Sequence, residues 1–121
     1  MQKTILFVDD SASIRELVKL SLQQAGFDVL LAEDGLDALA KLDGRKIHLV
    51  ITDLHMPNMN GIELIQEIRK RGDYAYIPIL FLTTETLVEL KREARKKGAT
   101  GWITKPFNQE KLLHTVNKVL R

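Results

Sequence analysis

Apolar and polar positions follow two regimes along the chain. Thr4 to Val8, Ile47 to Thr52, Pro78 to Leu82 and Gly101 to Thr104 are short runs crowded with Val, Ile, Leu and Phe, without polar alternation. That is the pattern of strands buried on both faces of a parallel sheet. Phe27 to Ala32 reads as a further strand, second in chain order. Between the runs the apolar spacing changes to three and four, the period of helices packed by one face. Ile14, Leu17, Val18, Ser21, Leu22 and Ala25 share such a face, with Gly26 as terminator and Ser13 and Glu16 at capping-box spacing near the start. Leu36, Ala38, Leu39 and Leu42 predict a short second helix ending near Gly44, and Ile62, Ile65 and Ile68 a third that runs to Gly72. Leu87, Leu90 and Ala94 line a fourth, and Leu112, Leu113, Val116, Val119 and Leu120 stripe a last helix from Asn108. Leu54 to Gly61, with Pro57, Asn58 and Asn60, is rich in turn formers.

Five strands alternating with five helices specify an α/β fold, a parallel sheet with helices on both faces. Right-handed crossovers then wind the sheet outward in two directions from a switch point. If strand one lies between strands two and three, the order is 2-1-3-4-5, and the ends of strands one and three are about 5 Å apart. Strand five then ends about 10 Å from strand three, a gap a lysine can cross.

Ligands of such sheets bind outside the carboxyl ends of the strands, and there the polar residues collect: Asp9 and Asp10 after strand one, Asp53 after strand three, Thr83 after strand four, Lys105 after strand five. Three crowded carboxylates repel one another unless a proton or a cation neutralises them. An oxygen-only set suits Mg²⁺, which takes few protein carboxylates. Asp53 alone has both Thr83 and Lys105 within expected reach, so it reads as a nucleophile, and carboxylates can attack phosphorus. Lys105 and the metal would neutralise charge on a transferring phosphoryl group, and Thr83 would donate a hydrogen bond to it. Singly, each residue has an ordinary explanation, as a helix-start acid, a loop residue, a cap or an exposed lysine. Independent caps, however, would not supply complementary charges converging on one point.

With 121 residues, 45% of them hydrophobic, the expectation is one domain spanning 1–121. The absence of cysteine excludes disulfides, thiol nucleophiles and sulfur-ligated metal. No signal peptide or membrane-length run is read, so a cytoplasmic protein without membrane contact is expected. A net charge of +2 does not call for nucleic acid. One basic concentration, Lys91, Arg92, Arg95, Lys96 and Lys97, reads as a solvated face near a helix C-terminus, with a docking surface for an acidic partner as the alternative. His48 and His114 lack metal-ligand company and read as ordinary surface or core-edge residues.

The motifs Phe7-Val8-Asp9-Asp10, Asp53-Leu54-His55-Met56-Pro57-Asn58-Met59-Asn60-Gly61, Leu82-Thr83-Thr84 and Lys105-Pro106-Phe107 together resemble the receiver domain of bacterial two-component response regulators, most closely the single-domain chemotaxis type. The resemblance covers the whole chain and implies a flavodoxin-like doubly wound sheet. It also implies that Asp53 is the phosphoacceptor and that Asp9 and Asp10 hold Mg²⁺ directly or through water, with the His55 backbone carbonyl as a further ligand. Thr83 and Lys105 would bind the phosphoryl group. A cis peptide is expected before Pro106. Trp102 occupies the position of the family's rotating aromatic switch, more often Tyr or Phe, and a core-filling role is the alternative. His55 and Glu85 match positions that tune phosphoryl lifetime. Thr84 stands where a smaller residue is common, and its bulk bears on partner access or on capping the fourth helix.

The partners so implied are a sensor histidine kinase or phosphotransfer protein and a downstream protein target, reached through the fourth helix, strand five and the last helix. A monomer is expected, with a phosphorylation-dependent dimer as an option. A flavodoxin-like electron carrier would need a Ser, Thr or Gly-rich phosphate cradle after strand one, where two aspartates stand instead. Aspartate-based phosphohydrolases usually carry two aspartates one residue apart, and position 11 is Ser. An unphosphorylated docking module would have no use for an intact acceptor, metal pair and lysine. Because Arg121 ends the sequence at the last helix, a DNA-binding regulator is not expected, unless an output domain belongs to a longer protein.

Overall fold

The computed structural model describes residues 2–84 and 88–120. The expected contributions of Leu87 to the fourth helix and of Glu85 to the site lie outside the described residues. In chain order the elements are β1 (Thr4–Val8), α1 (Ala12–Gln24), β2 (Asp28–Ala32), α2 (Gly35–Lys41), β3 (Leu49–Asp53), α3 (Gly61–Arg69), a 3₁₀ turn (Gly72–Tyr74), β4 (Ile79–Thr83), α4 (Val88–Lys96), β5 (Gly101–Thr104) and α5 (Gln109–Leu120). The sheet runs β2-β1-β3-β4-β5 with every pairing parallel, the order expected from the sequence.

Successive strand residues point to opposite faces, so a strand covered on both sides must be apolar at every position. Leu6, Val8, Val50, Ile79 and Phe81 pack on one face with Ala38, Leu64, Ile65, Ile68 and Ala94 from α2, α3 and α4. On the other face Ile5, Phe7, Leu49, Ile51, Leu80 and Leu82 meet Val18, Leu22, Leu112 and Val116 from α1 and α5. Every residue of β3 and β4 is buried. Truncating one of the large core side chains, Phe81 for instance, costs about 3 to 5 kcal/mol through lost burial and the cavity left behind.

Several boundaries differ from the sequence reading. Strands β3 and β4 each end one residue later than expected, because the ladder continues through Asp53 opposite Leu82 and Thr83 opposite Thr104. Asp53 and Thr83 are therefore the last residues of their strands, held by the sheet itself. Helix α1 is capped by Ser11, whose side chain accepts a hydrogen bond from the Ile14 N–H. The Ser13–Glu16 capping box is not formed; Ser13 lies inside the first turn, its hydroxyl 3.1 Å from that of Ser11. Leu17 and Leu36, expected to face inward, are 57% and 54% exposed. Val18 and Leu22 already fill the contact between α1 and the sheet, and α2 is buried through Gly35 and Ala38. Gly26 does terminate α1: it adopts φ of 95°, in the left-handed region that glycine enters without steric cost, and the Phe27 N–H bonds back to the Leu22 carbonyl.

Candidate functional site

Four polar side chains, Asp9, Asp10, Asp53 and Lys105, converge at the carboxyl ends of β1, β3 and β5, with Thr83 at the end of β4 between them. One oxygen each from Asp9, Asp10 and Asp53 lies within 4.8 Å of the other two. Asp9 and Asp53 are buried and Asp10 is exposed, so the group opens to solvent on the side of Asp10. Local backbone geometry fixes the first of these acids. The Ser11 N–H donates to Asp9 Oδ1 at 2.9 Å, and the Arg15 guanidinium donates to the Asp9 carbonyl at 2.7 Å from one turn into α1. Asp53 is held in a similar way, its Oδ1 accepting the Leu54 N–H at 2.8 Å.

Lys105 spans the distance the strand order imposes. Its ammonium Nζ lies 3.3 Å from Asp53 Oδ2 and 3.5 Å from Asp9 Oδ2. Its backbone N–H donates to the Thr83 carbonyl at 2.8 Å, and the Lys105–Pro106 peptide is cis, as the resemblance implied. Thr83 is only 1% exposed at the end of β4, between the strands that carry Asp53 and Lys105.

These placements set the charge state of Asp53. Burial is the largest influence and pushes its carboxyl above the ordinary value near 3.8; Lys105 opposes that rise, Asp9 adds to it, and the hydrogen bonds from Lys105 and Leu54 lower it. Lys105 thus compensates the acids only partly, and a further cation among the three carboxylates would relieve their repulsion. The donor set is hard oxygen throughout and keeps one exposed side for water ligands, which fits Mg²⁺ better than a softer metal.

The remaining expected residues fall around this centre. His55 and Thr84 are exposed, each one or two residues past a strand end. The capping role weighed for Thr84 concerns the start of the fourth helix, outside the described residues. His48 is a core-edge residue whose Nδ1 accepts the Thr4 N–H at 2.9 Å, and His114 lines a depression between β5 and α5. Trp102 is half-buried on β5, its ring centroid 5.9 Å from that of Phe81. Arg92, Arg95, Lys96 and Lys97 of the basic patch are exposed, as a solvated face requires, and Lys91 is half-buried; Lys91 Nζ lies 4.8 Å, and Arg95 Cζ 5.4 Å, from the Trp102 ring centroid.

Other supporting residues were missed in the sequence. A Cβ at Gly61 would stand 2.5 Å from the Asp53 carbonyl oxygen, so only glycine lets α3 start against the strand end that carries Asp53. Thr52 Oγ1 donates to the same carbonyl at 2.9 Å. Asn60 and Glu63 form a reciprocal capping box at the start of α3, a spacing that was readable. Asp34 caps α2 and accepts from Asn58 Nδ2 at 2.8 Å, which joins two loops at the rim of the site.

Comparison with known proteins groups the chain by these same features. The family profile described as "Response regulator receiver domain" matches residues 5–117. Chemotaxis protein CheY1 of Helicobacter pylori is 38% identical over 96% of this chain and 95% of its own length. The phosphate regulon transcriptional regulatory protein PhoB of Pseudomonas aeruginosa is also 38% identical, over 98% of this chain, which spans 52% of PhoB. Among solved structures, chemotaxis protein CheY4 of Vibrio cholerae superposes with a TM-score of 0.96 at 47% identity, covering 99% of this chain and 100% of that one.

Proposed function

The chain belongs to the response regulator receiver domain family, with the layout of its single-domain CheY-like members, and from that premise we propose that it accepts a phosphoryl group on Asp53 and thereby changes its affinity for a protein target. The observation that carries this reading is the contact of one buried carboxylate, Asp53, with the Lys105 ammonium at 3.3 Å, inside a cluster of three acids.

The reaction follows from these groups. An Asp53 carboxylate oxygen attacks phosphorus, the phosphoryl bond to the donor breaks, and the donor leaves with the electron pair of that bond. A phosphohistidine of a sensor kinase or phosphotransfer protein is the donor class whose leaving group, a neutral imidazole after protonation, makes the transfer favourable. Lys105 attracts the phosphoryl oxygens and the Asp53 oxygen, which holds attacking and transferring groups together. Thr83 donates its hydroxyl to a phosphoryl oxygen. Asp9, Asp10, Asp53 and the His55 carbonyl would hold Mg²⁺, which when bound would supply charge neutralisation for the crowded acids and the incoming group. His55, Thr84 and Glu85 border the approach of the water that later hydrolyses the acyl phosphate, and so tune its lifetime. The protein catalyses this transfer and hydrolysis on itself alone, as a signalling domain of residues 1–121 in the cytoplasm. No helix among the described residues is long and apolar enough to cross a membrane.

Output runs through Thr83, Trp102 and the face formed by α4, β5 and α5. When Thr83 moves toward the phosphoryl group, space opens behind it into which Trp102 and α4 repack, and the target reads that face. Incubation with Mg²⁺ and acetyl phosphate, followed by intact mass, tests the acceptor. Wild type gains one phosphoryl group, chelation of Mg²⁺ abolishes the gain, and Asp53→Asn gains none; equal uptake by Asp53→Asn would overturn the assignment.

A further inference from the structure

Trp102 is the single tryptophan of the chain, and its indole is not simply lodged in the core. It rests against Phe81 of β4 and beneath two cations of α4, Lys91 and Arg95, four residues apart on one helical face. Val88 and Arg92 complete the rim of the shallow depression around the ring. Lys96, on the same helix, does not line that depression. A cation within about 6 Å of an indole centroid is drawn to the negative face of the ring, more strongly for Trp than for Tyr or Phe.

We propose that Lys91 and Arg95 are positioning residues of the switch: they hold the Trp102 indole under α4 and so bias the unphosphorylated protein against repacking. This rests on the reading of Trp102 as a switch and adds what opposes its movement. Phosphorylation pulls through Thr83 at the end of β4, and the cations resist through α4, which carries them over the ring on β5. The same contacts make the position of α4 and the position of the ring one variable, because the indole cannot leave without uncovering both cations. Each contact at such a partly exposed site shifts the equilibrium by roughly two- to fivefold, so the pair shifts it by roughly four- to twenty-fivefold.

The test replaces Trp102 with 5-fluorotryptophan by incorporation and reads ring environments by fluorine NMR. Wild type and wild type with Mg²⁺ and beryllofluoride, an acyl phosphate mimic, mark the two positions. Lys91→Gln/Arg95→Gln should move the ratio of repacked to resting ring by about four- to twenty-fivefold without the mimic, while Lys91→Arg and Lys96→Gln leave it as in wild type. By linkage the double variant should also bind beryllofluoride more tightly by up to the same factor. A double variant with wild-type ring ratio and wild-type affinity for beryllofluoride, in a protein whose ring still responds to beryllofluoride, overturns the clamp and leaves the switch standing. A ring that ignores beryllofluoride in wild type overturns the switch reading itself, and the clamp with it.

Discussion

At the scale of single residues, the site is defined by an acid kept where it is costly. Asp53 is 8% exposed, and burial foremost, then Asp9, hold its carboxyl above its ordinary value against the pull of Lys105. An acid with a folded pKa above its unfolded one binds more protons folded than unfolded through that window. Its favourable contribution is therefore complete below about pH 3.8 and is lost as pH rises through the folded value. At neutral pH without metal, ionised Asp53 is a net cost. Asp53→Asn should accordingly be more stable than wild type in metal-free buffer at pH 7, by on the order of 1 kcal/mol, with the difference shrinking toward pH 4. Urea unfolding across pH in the presence of a chelator measures this, and a wild type that is the more stable of the two at pH 7 would contradict it. Asp53, Asp9 and Lys105 were readable in the sequence because they follow buried apolar runs whose ends must meet at one sheet edge. Gly61 and Thr52 were not, since their service is to the Asp53 backbone carbonyl, and nothing in their spacing announces that contact.

At the scale of elements, strands were easier to read than helix starts. An unbroken run such as Ile79–Thr83 has one use in a domain of this size, a central buried strand. Ser11 and Ser13 both stand at the start of α1, and only Ser13 is read as a cap from the sequence. The hydrogen bond from the Ser11 N–H to Asp9 Oδ1 decides between them, because it turns the chain so that Ser11 meets the open N–H of Ile14. Ser11→Ala should then cost about 0.5 to 1 kcal/mol, the low end for a lost cap given the 3.4 Å bond, while Ser13→Ala is close to neutral. Thermal unfolding of the two variants separates them, and a larger loss at Ser13 would contradict the assignment. The exposure of Leu17 and Leu36 has a related cause: helical spacing marks a stripe, and the width of stripe a sheet can cover is set by packing. The cations over Trp102 were unreadable because α4 and β5 meet only after the chain has reversed through Gly98, where φ is 117°.

At the scale of the whole molecule, the proposed switch needs a change at the sheet edge to reach a distant surface, and the two-faced core is the means. Strands β3 and β4 are buried along their length and transmit rather than bend. In the proposed switch the adjustable parts are Trp102 and α4, which meet through Lys91 and Arg95. One charge-assisted hydrogen bond from Thr83 contributes about 1.5 to 3 kcal/mol, whereas moving an equilibrium from 1:99 to 99:1 takes about 5.5. Thr83 therefore cannot throw the switch alone, and Lys105, the metal or the target supplies the rest. Thr83→Ala should still be phosphorylated, but its affinity for the target after phosphorylation should fall by roughly ten- to a hundredfold. Binding of the phosphorylated variant to its target by calorimetry measures this, and unchanged affinity would break the link between Thr83 and output.

All three scales depend on Asp53 being the atom-level acceptor. Reduction of the phosphorylated protein with borohydride, which converts an acyl phosphate at aspartate to homoserine, followed by peptide sequencing, locates it directly. The account predicts homoserine at position 53 and at no other aspartate; homoserine at position 9 or 10, or none after Mg²⁺-dependent phosphorylation, would contradict it.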